Sequence, residues 1–202
     1  MIRALLTDFG GVLVRTGSDA TRRALEARLG LSPHTIEDLV FGGEASRRAQ
    51  LGQISYDAFW DRLRLDLRLD GRMSVVEFRD AFFGADFLDE DLMALIRSVR
   101  PAIKTGLISN AWSNARDVFT RLFGIADAFD VMIISAEEGV MKPDPRIYQA
   151  ALDRLGVAAS ESIFVDDVLE NVRGAQALGI HGIHFRSPEQ ARPEIERLLN
   201  PA

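Results

Sequence analysis

Residues 163–179 read IFVDDVLENVRGAQALG and contain a complete strand–helix unit. The apolar run at residues 163–165 is typical of a short buried strand, and it stops at the acidic pair Asp166-Asp167. A helical pattern follows at residues 168–178 and ends at Gly179. The stretch therefore predicts one unit of a parallel α/β sheet, with two carboxylates at the carboxyl end of its strand.

The same unit recurs along the chain. Four more apolar runs end in polar turns and predict buried strands, at residues 3–7, 105–109, 131–135 and 182–185. Further helical patterns lie between or after them, at residues 89–100, 111–123, 145–155 and 189–199. The alternation predicts an α/β fold, namely a three-layer, Rossmann-like core with a parallel sheet between two layers of helices.

The segment between the first two predicted strands departs from this alternation. Residues 16–87 predict helices only, at residues 18–29, 33–41, 56–67 and 74–83. We therefore expect residues 1–15 and 88–202 to form the Rossmann-like catalytic core, and residues 16–87 to form an inserted α-helical cap. Because sites in open α/β sheets lie at the carboxyl ends of the strands, such an insert would cover the site as a lid.

Composition limits the classes of function. The 202 residues include no cysteine, which excludes disulfides, thiolate metal sites and a cysteine nucleophile. The formal net charge of −6 argues against nucleic acid as a partner, because phosphate backbones are bound by basic surfaces. No apolar run approaches the roughly 20 residues of a membrane helix. We therefore expect a cytoplasmic protein without a membrane partner, and the sequence carries no signal for an oligomeric state.

Polar side chains stand where the predicted strands end. They are Asp8, Ser109, Asn110, Lys142, Asp166 and Asp167. Three carboxylates in one cleft would repel each other unless a divalent cation joined them, and oxygen ligands without His or Cys favour Mg²⁺. A metal and a lysine can neutralise phosphoryl oxygens, hydroxyl and amide groups can donate hydrogen bonds, and a fixed carboxylate can attack phosphorus. The sequence therefore predicts chemistry on a phosphate group.

Four motifs carry a resemblance to a known family. They are LLTDFGGVLV at 5–14, LISN at 107–110, GVMKPDPRIY at 139–148 and IFVDDVLENVRGAQALG at 163–179. In order and spacing they resemble the motifs of the haloacid dehalogenase-like (HAD) hydrolase superfamily, and residues 16–87 resemble the small helical cap of one of its subfamilies. The resemblance implies a Mg²⁺-dependent hydrolase of small phosphate monoesters, such as sugar phosphates, that works through an aspartyl phosphate.

The resemblance also implies a role for each motif residue. Asp8 would be the nucleophile and a metal ligand, and the Gly10 carbonyl and Asp167 would be further ligands. Ser109, Asn110 and Lys142 would bind the phosphoryl group, while Asp166 and Asn171 would support the site. Of the 24 basic residues only Lys104 and Lys142 are lysine, and Lys142 stands where a compact point charge suits the site better than a planar guanidinium.

Gly10 departs from the family pattern. Phosphatases of the family usually have a second aspartate at this position, which protonates the leaving alcohol and then activates water. Such a group typically contributes about 10²–10⁴-fold to the rate. Three readings follow: a water or a cap residue transfers the proton, the substrates have leaving groups that need little protonation, or the chain has weak or no activity on phosphate esters.

Two other functions and a set of plain structural roles stay open. One alternative is a 2-haloacid dehalogenase-type hydrolase, and the other is a weakly active binding or regulatory protein. The strand-end residues also suit turns and helix N-caps. The aromatic candidates for a substrate pocket are Phe41, Phe59, Trp60 and Trp112, although core packing is their commoner role. The cap arginines Arg22, Arg23, Arg47 and Arg48 are interpreted as a solvated helix face.

Overall fold

The computed structural model describes residues 1–200 and is organised around a five-stranded sheet. The strands are β1 Ala4–Thr7, β2 Val14–Thr16, β3 Asp86–Leu88, β4 Lys104–Ser109, β5 Val131–Ile134, β6 Ser162–Asp166 and β7 His181–His184. The main sheet has the order β5-β4-β1-β6-β7, and all its neighbours are parallel. β1 lies at its centre, so the residues that follow β1 are flanked by those that follow β4 and β6.

Helices cover both faces of this sheet and form the predicted three-layer α/β core. The helices are α1 Ala20–Leu29, α2 Thr35–Glu37, α3 Glu44–Gln50, α4 Tyr56–Asp66, α5 Val75–Phe83, α6 Glu90–Ser98, α7 Ala115–Asp117, α8 Ser135–Glu138, α9 Pro145–Leu155, α10 Leu169–Ala177 and α11 Pro188–Leu199. Wider π turns at Asp38–Gly42 and Val118–Leu122 continue α2 and α7, and short 3-10 turns lie at Ala126–Ala128 and Ala159–Glu161. Leu6, Ile108 and Phe164 pack with α9 on one face, and Leu5 and Leu107 pack with α6 and α11 on the other.

Helices α1 to α5 pack around an apolar cluster of their own. Its fully buried members include Ile36, Phe59, Phe78 and Phe82. The expectation of helices throughout residues 16–87 is wrong at both ends, because β2 and β3 form an antiparallel pair that pairs Thr16 with Asp86. Strands of three residues are too short to produce an alternating pattern. The predicted boundaries between the catalytic core and the cap, at residues 15/16 and 87/88, stay a prediction.

The helical insert is docked on the sheet domain at two places. Trp112, from the loop after β4, enters the aromatic cluster, where its ring centroid lies 4.9 Å from that of Phe59 and its indole N–H donates to the Ser46 hydroxyl at 3.3 Å. Gly52 lies so close to Ala136 at the start of α8 that a Cβ would overlap the Ala136 carbonyl oxygen. The predicted helix at 111–123 therefore begins only at α7, since Trp112 is held by the insert.

Arg22 is buried, so its interpretation as part of a solvated face is wrong. Its guanidinium forms ion pairs with Glu37 and Asp86, donates to the Phe82 carbonyl at 3.2 Å and lies 4.4 Å from the centre of the Phe82 ring. These contacts join α1, α2, α5 and β3. Within the described residues, no helix has both the length and the apolar character that crossing a membrane requires.

Candidate active site

Asp8 follows the central strand and is held from three sides. Its N–H donates to the Val165 carbonyl at 2.8 Å, which extends the parallel ladder by one residue. Its Oδ1 accepts from the Phe9 N–H at 2.7 Å and lies 2.8 Å from the ammonium nitrogen of Lys142. One carboxylate oxygen is therefore anchored, and the anchored geometry leaves Oδ2 for a ligand.

Lys142 is almost completely enclosed, and its ammonium has three acceptors. Nζ lies 2.8 Å from Asp8 Oδ1 and donates at 2.7 Å to Asp166 Oδ2 and at 2.8 Å to the Ile108 carbonyl. Two of the three ammonium hydrogens are thus donated to Asp166 and to the Ile108 carbonyl, which leaves the third for Asp8 Oδ1 or for a ligand beside it. Sequence reasoning did not find Ile108, because a main-chain carbonyl carries no side-chain signal.

Asn110 fixes the main chain that carries this lysine. Its Oδ1 accepts from the Lys142 N–H at 2.8 Å, and its Nδ2 donates to the Lys142 carbonyl at 3.0 Å. This pairing joins the loop after β4 to the loop between α8 and α9. The predicted contact of Asn110 with a phosphoryl group stays a prediction, and the observed contacts assign its side chain to placing Lys142. Ser109, the last residue of β4, is buried beside it.

The acidic pair after β6 divides into one enclosed and one open carboxylate. Asp166 is fully buried and accepts from the Val168 N–H at 2.8 Å and from Asn171 Nδ2 at 3.1 and 3.2 Å, in addition to Lys142. Asp167 is exposed and lies against Gly11, where a Cβ would overlap its carboxylate. Gly11 also has a φ of +75°, which favours glycine at this position, and a Cβ there would displace the Asp167 carboxylate.

The carboxylates of Asp8, Asp166 and Asp167 converge. One oxygen of each lies within 4.8 Å of the others. Burial raises the pKa of Asp8 from 3.8 to about 7, with Asp166 and Asp167 acting in the same direction and Lys142 opposing them. Burial and Asp166 likewise raise the pKa of Asp167. Three carboxylates against one ammonium leave an excess of negative charge, and this all-oxygen donor set fits a hard divalent cation such as Mg²⁺.

Gly10 is exposed, and the space beside it is open. No atom lies within 4 Å of the place where a Cβ would stand, and its φ lies outside the left-handed region. Neither the main-chain conformation nor packing therefore requires glycine here. The position that carries an acid in the phosphatases it resembles therefore has no side chain.

The aromatic candidates have different surroundings. Phe59 and Trp60 are buried in the cluster of the insert and serve as core. Phe41 is 46% exposed and lies parallel to Trp112, with 6.4 Å between the ring centroids and 6° between the planes. Phe41 thus combines an exposed side chain with contact to Trp112, a half-buried residue two positions after Asn110.

Known proteins resemble the chain over most of its length. The family model described as a haloacid dehalogenase-like hydrolase matches residues 2–179. A sesquiterpene phosphatase of Aspergillus oryzae is 27% identical over 98% of this chain and 96% of its own. A D-ribitol-5-phosphate phosphatase of Bacteroides thetaiotaomicron is 27% identical over 99% and 100%. The chain spans only 7% of a mouse relative to which it is 51% identical over 71 residues.

A solved structure extends the likeness to the whole fold. It is that of a predicted HAD-like family hydrolase from Porphyromonas gingivalis, with a TM-score of 0.80, 26% identity and complete coverage of both chains. The parallel five-stranded sheet and the order of the motifs agree with these matches. The chain belongs to the haloacid dehalogenase-like hydrolase family and is a hydrolase of that family.

Proposed function

We propose that the protein is a Mg²⁺-dependent phosphatase of small phosphate monoesters that works through an aspartyl phosphate on Asp8. The observation that carries the proposal is the position of Asp8, whose Oδ1 lies 2.8 Å from Lys142 Nζ and whose carboxylate converges with those of Asp166 and Asp167. A phosphate group is the kind of anion that the ammonium of Lys142, together with a divalent cation held by these carboxylates, would bind. The match to two phosphatases over nearly their whole lengths supports the same class of substrate.

Each residue of the site has a part in the proposed reaction. Oδ2 of Asp8 attacks phosphorus, the bond from phosphorus to the ester oxygen breaks, and the leaving group departs with the bonding pair. Water then attacks the phosphorus of the aspartyl phosphate, which releases inorganic phosphate and restores the carboxylate. Lys142 and Ser109 hold the phosphoryl oxygens, and Asp166, Asn171 and Asn110 hold Lys142 in place.

The residues proposed to hold Mg²⁺ are Asp8, the main-chain carbonyl of Gly10 and Asp167. When bound, the cation would supply positive charge against the phosphoryl oxygens. Asp166 is proposed as a supporting residue, because its oxygens already accept from Lys142, Asn171 and the Val168 N–H.

The proton needed by the leaving group has no donor at Gly10. A water molecule or a cap residue can supply it, or the substrates have leaving groups that depart without it. The dehalogenase alternative lacks support at the acidic pair, because Asp166 and Asp167 would repel a carboxylate substrate. A weakly active binding or regulatory protein is the third possibility, and Gly10 is the observation that favours it.

Release of phosphate from a panel of sugar, alkyl and aryl phosphates, with Mg²⁺ and with EDTA, tests the proposal. We expect turnover with Mg²⁺ only, and its loss in Asp8→Asn. The matched control is Asp91→Asn, because Asp91 is an exposed aspartate in α6. The proposal fails if no ester is hydrolysed or if Asp8→Asn retains the parent rate, and chloride release from 2-haloacids without metal would establish the dehalogenase.

A further inference from the structure

Three exposed apolar side chains lie on, or in contact with, segments that carry the proposed active site. Val168 and Leu169 come directly after Asp167 and are 44% and 37% exposed. Phe41 is 46% exposed and lies on Trp112, two residues after Asn110. Scattered apolar residues are ordinary on a protein surface, but these belong to the loops that carry the site or touch one of them.

Phe41 is partly exposed and packs against three other aromatic rings. Its centroid lies 5.6 Å from that of Phe82 and 6.4 Å from that of Phe83, in addition to its parallel contact with Trp112. Trp112 is itself fixed by Phe59 and by its hydrogen bond to Ser46. The wall formed by Phe41 and Trp112 is therefore rigid, and it lies at the seam between the helical insert and the sheet domain.

The guanidinium of Arg22 lies near the Phe41 ring but is already paired. Arg22 lies 6.0 Å from the centre of the Phe41 ring, but its donors go to Glu37, Asp86 and the Phe82 carbonyl. The neighbours of the Phe41 ring are thus other aromatic rings and a cation whose donors are engaged. Such a surface favours a flat apolar leaving group, since aromatic pairs gain free energy beyond the burial of their area.

The open space at Gly10 sets a second requirement on the leaving group. Without an acid, the departing oxygen must carry its charge into solution. The conjugate acid of a phenolate has a pKa of about 10, as for tyrosine, whereas the conjugate acid of an alkoxide has a much higher pKa, close to that of water. The rate of hydrolysis therefore falls much less for aryl esters than for alkyl esters when the acid is missing.

We propose that the preferred substrates are aryl phosphate monoesters, whose ring lies on Phe41 while the phosphate lies at Asp8; this rests on the phosphatase function proposed above. Asp8 Oδ2 forms the bond to phosphorus, and the bond to the aryl oxygen breaks. The phenolate leaves with the electron pair and is protonated by water outside the site. A second water then cleaves the aspartyl phosphate to phosphate and carboxylate, so no further co-reactant is needed.

The test compares phenyl phosphate with cyclohexyl phosphate, which has a ring of similar size but an alkyl oxygen. We expect phenyl phosphate to have a kcat at least about 100-fold higher, and substituted phenyl phosphates to react faster as the pKa of the phenol falls. Equal rates for the two esters, or rates independent of the phenol, would overturn the proposal.

Substitution of Phe41 tests the position of the ring. Phe41→Ala should raise the KM for phenyl phosphate about 2- to 10-fold, the equivalent of the aromatic contact, and change kcat less. The KM of Phe41→Leu should lie between those of the parent protein and of Phe41→Ala, because leucine keeps an apolar side chain. Leu65→Ala is the control, because Leu65 is exposed in α4 away from the site. An unchanged KM in a folded Phe41→Ala protein would also overturn the proposal.

Acetyl phosphate separates the two levels of the argument, because it has an activated leaving group and no ring. If Asp8-dependent hydrolysis of acetyl phosphate is accompanied by equal turnover of aryl and cyclohexyl esters, only the aryl inference fails. If neither acetyl phosphate nor any ester is hydrolysed, the proposed function fails with it.

Discussion

Replacement of Lys142 by methionine removes the only counter-charge that the structure places between two buried carboxylates. Nζ lies 2.8 Å from Asp8 Oδ1 and 2.7 Å from Asp166 Oδ2. At an effective dielectric constant of 20, each pair corresponds to about 6 kcal/mol of Coulomb energy before desolvation. Breaking a buried ion pair from one side typically costs about 3–5 kcal/mol, and we expect Lys142→Met to lose free energy of unfolding in that range.

Urea unfolding followed by far-ultraviolet circular dichroism at pH 8, in EDTA, measures this loss. For a chain of this size it corresponds to a melting temperature lower by about 6–20 °C. The loss should shrink as the pH falls, because an unpaired buried carboxyl destabilises the fold only while it is ionised. Adding Asp166→Asn to Lys142→Met should recover part of the stability, since one of the two unpaired charges is then removed.

Lys104→Met provides the matched control, because Lys104 is an exposed lysine whose ammonium donates only to the Leu155 carbonyl. We expect a change of at most about 0.5 kcal/mol there. If Lys142→Met were as stable as Lys104→Met at pH 8, the ammonium would not hold the two carboxylates as the structure places it, and the reasoning would be refuted.

Three further predictions concern the site itself. Lys142→Arg should reduce kcat at least about 100-fold while Lys104→Arg does not, because three acceptors enclose a compact ammonium; equal turnover in steady-state assays would contradict this. Gly10→Asp should raise kcat for alkyl phosphates by about 10²–10⁴-fold, since the space is open and the new acid can protonate the leaving oxygen; an unchanged kcat would count against it. Mg²⁺ at about 100 times its Kd should stabilise the fold by about 2.7 kcal/mol in differential scanning fluorimetry, and Gly11→Ala, whose Cβ would overlap Asp167, should weaken this shift; a parent protein that Mg²⁺ does not stabilise would contradict the proposed site.

Much of the fold follows from local patterns. The five strands of the parallel sheet are each long enough to form a largely apolar run that ends in a polar turn, so their positions were predictable to within about two residues. The paired strands β2 and β3 and the helix α3 were missed. Strands of three residues show no alternation, and α3 lies between glycines that indicate turns.

The candidate site was predictable where its chemistry lies in side chains at strand ends. The convergence of Asp8, Asp166, Asp167 and Lys142 follows from the rule that parallel strands end at one edge. Its main-chain and long-range contacts were not predictable. The clamp of Asn110 on the main chain of Lys142 joins two loops that are 32 residues apart, and no local pattern specifies it.

The same limit applies to the helical insert. Arg22 and Trp112 sit in sequence contexts that suit a solvated helix and the first turn of a core helix, respectively. The burial of Arg22 depends on acids from α2 and β3, and the place of Trp112 depends on the aromatic cluster. Both outcomes require the tertiary arrangement, so the substrate pocket is the part of the site that the sequence predicts least.

Trapping the phosphorylated enzyme tests the central proposal most directly. Gly10 lacks the group that would activate water, so the aspartyl phosphate should accumulate during turnover of acetyl phosphate with Mg²⁺. After acid quenching, the protein should carry phosphate that hydroxylamine releases, and borohydride should reduce residue 8 to homoserine, as detected by peptide mass spectrometry. Phosphate on Ser109, or turnover of acetyl phosphate without any modification of Asp8, would contradict the account.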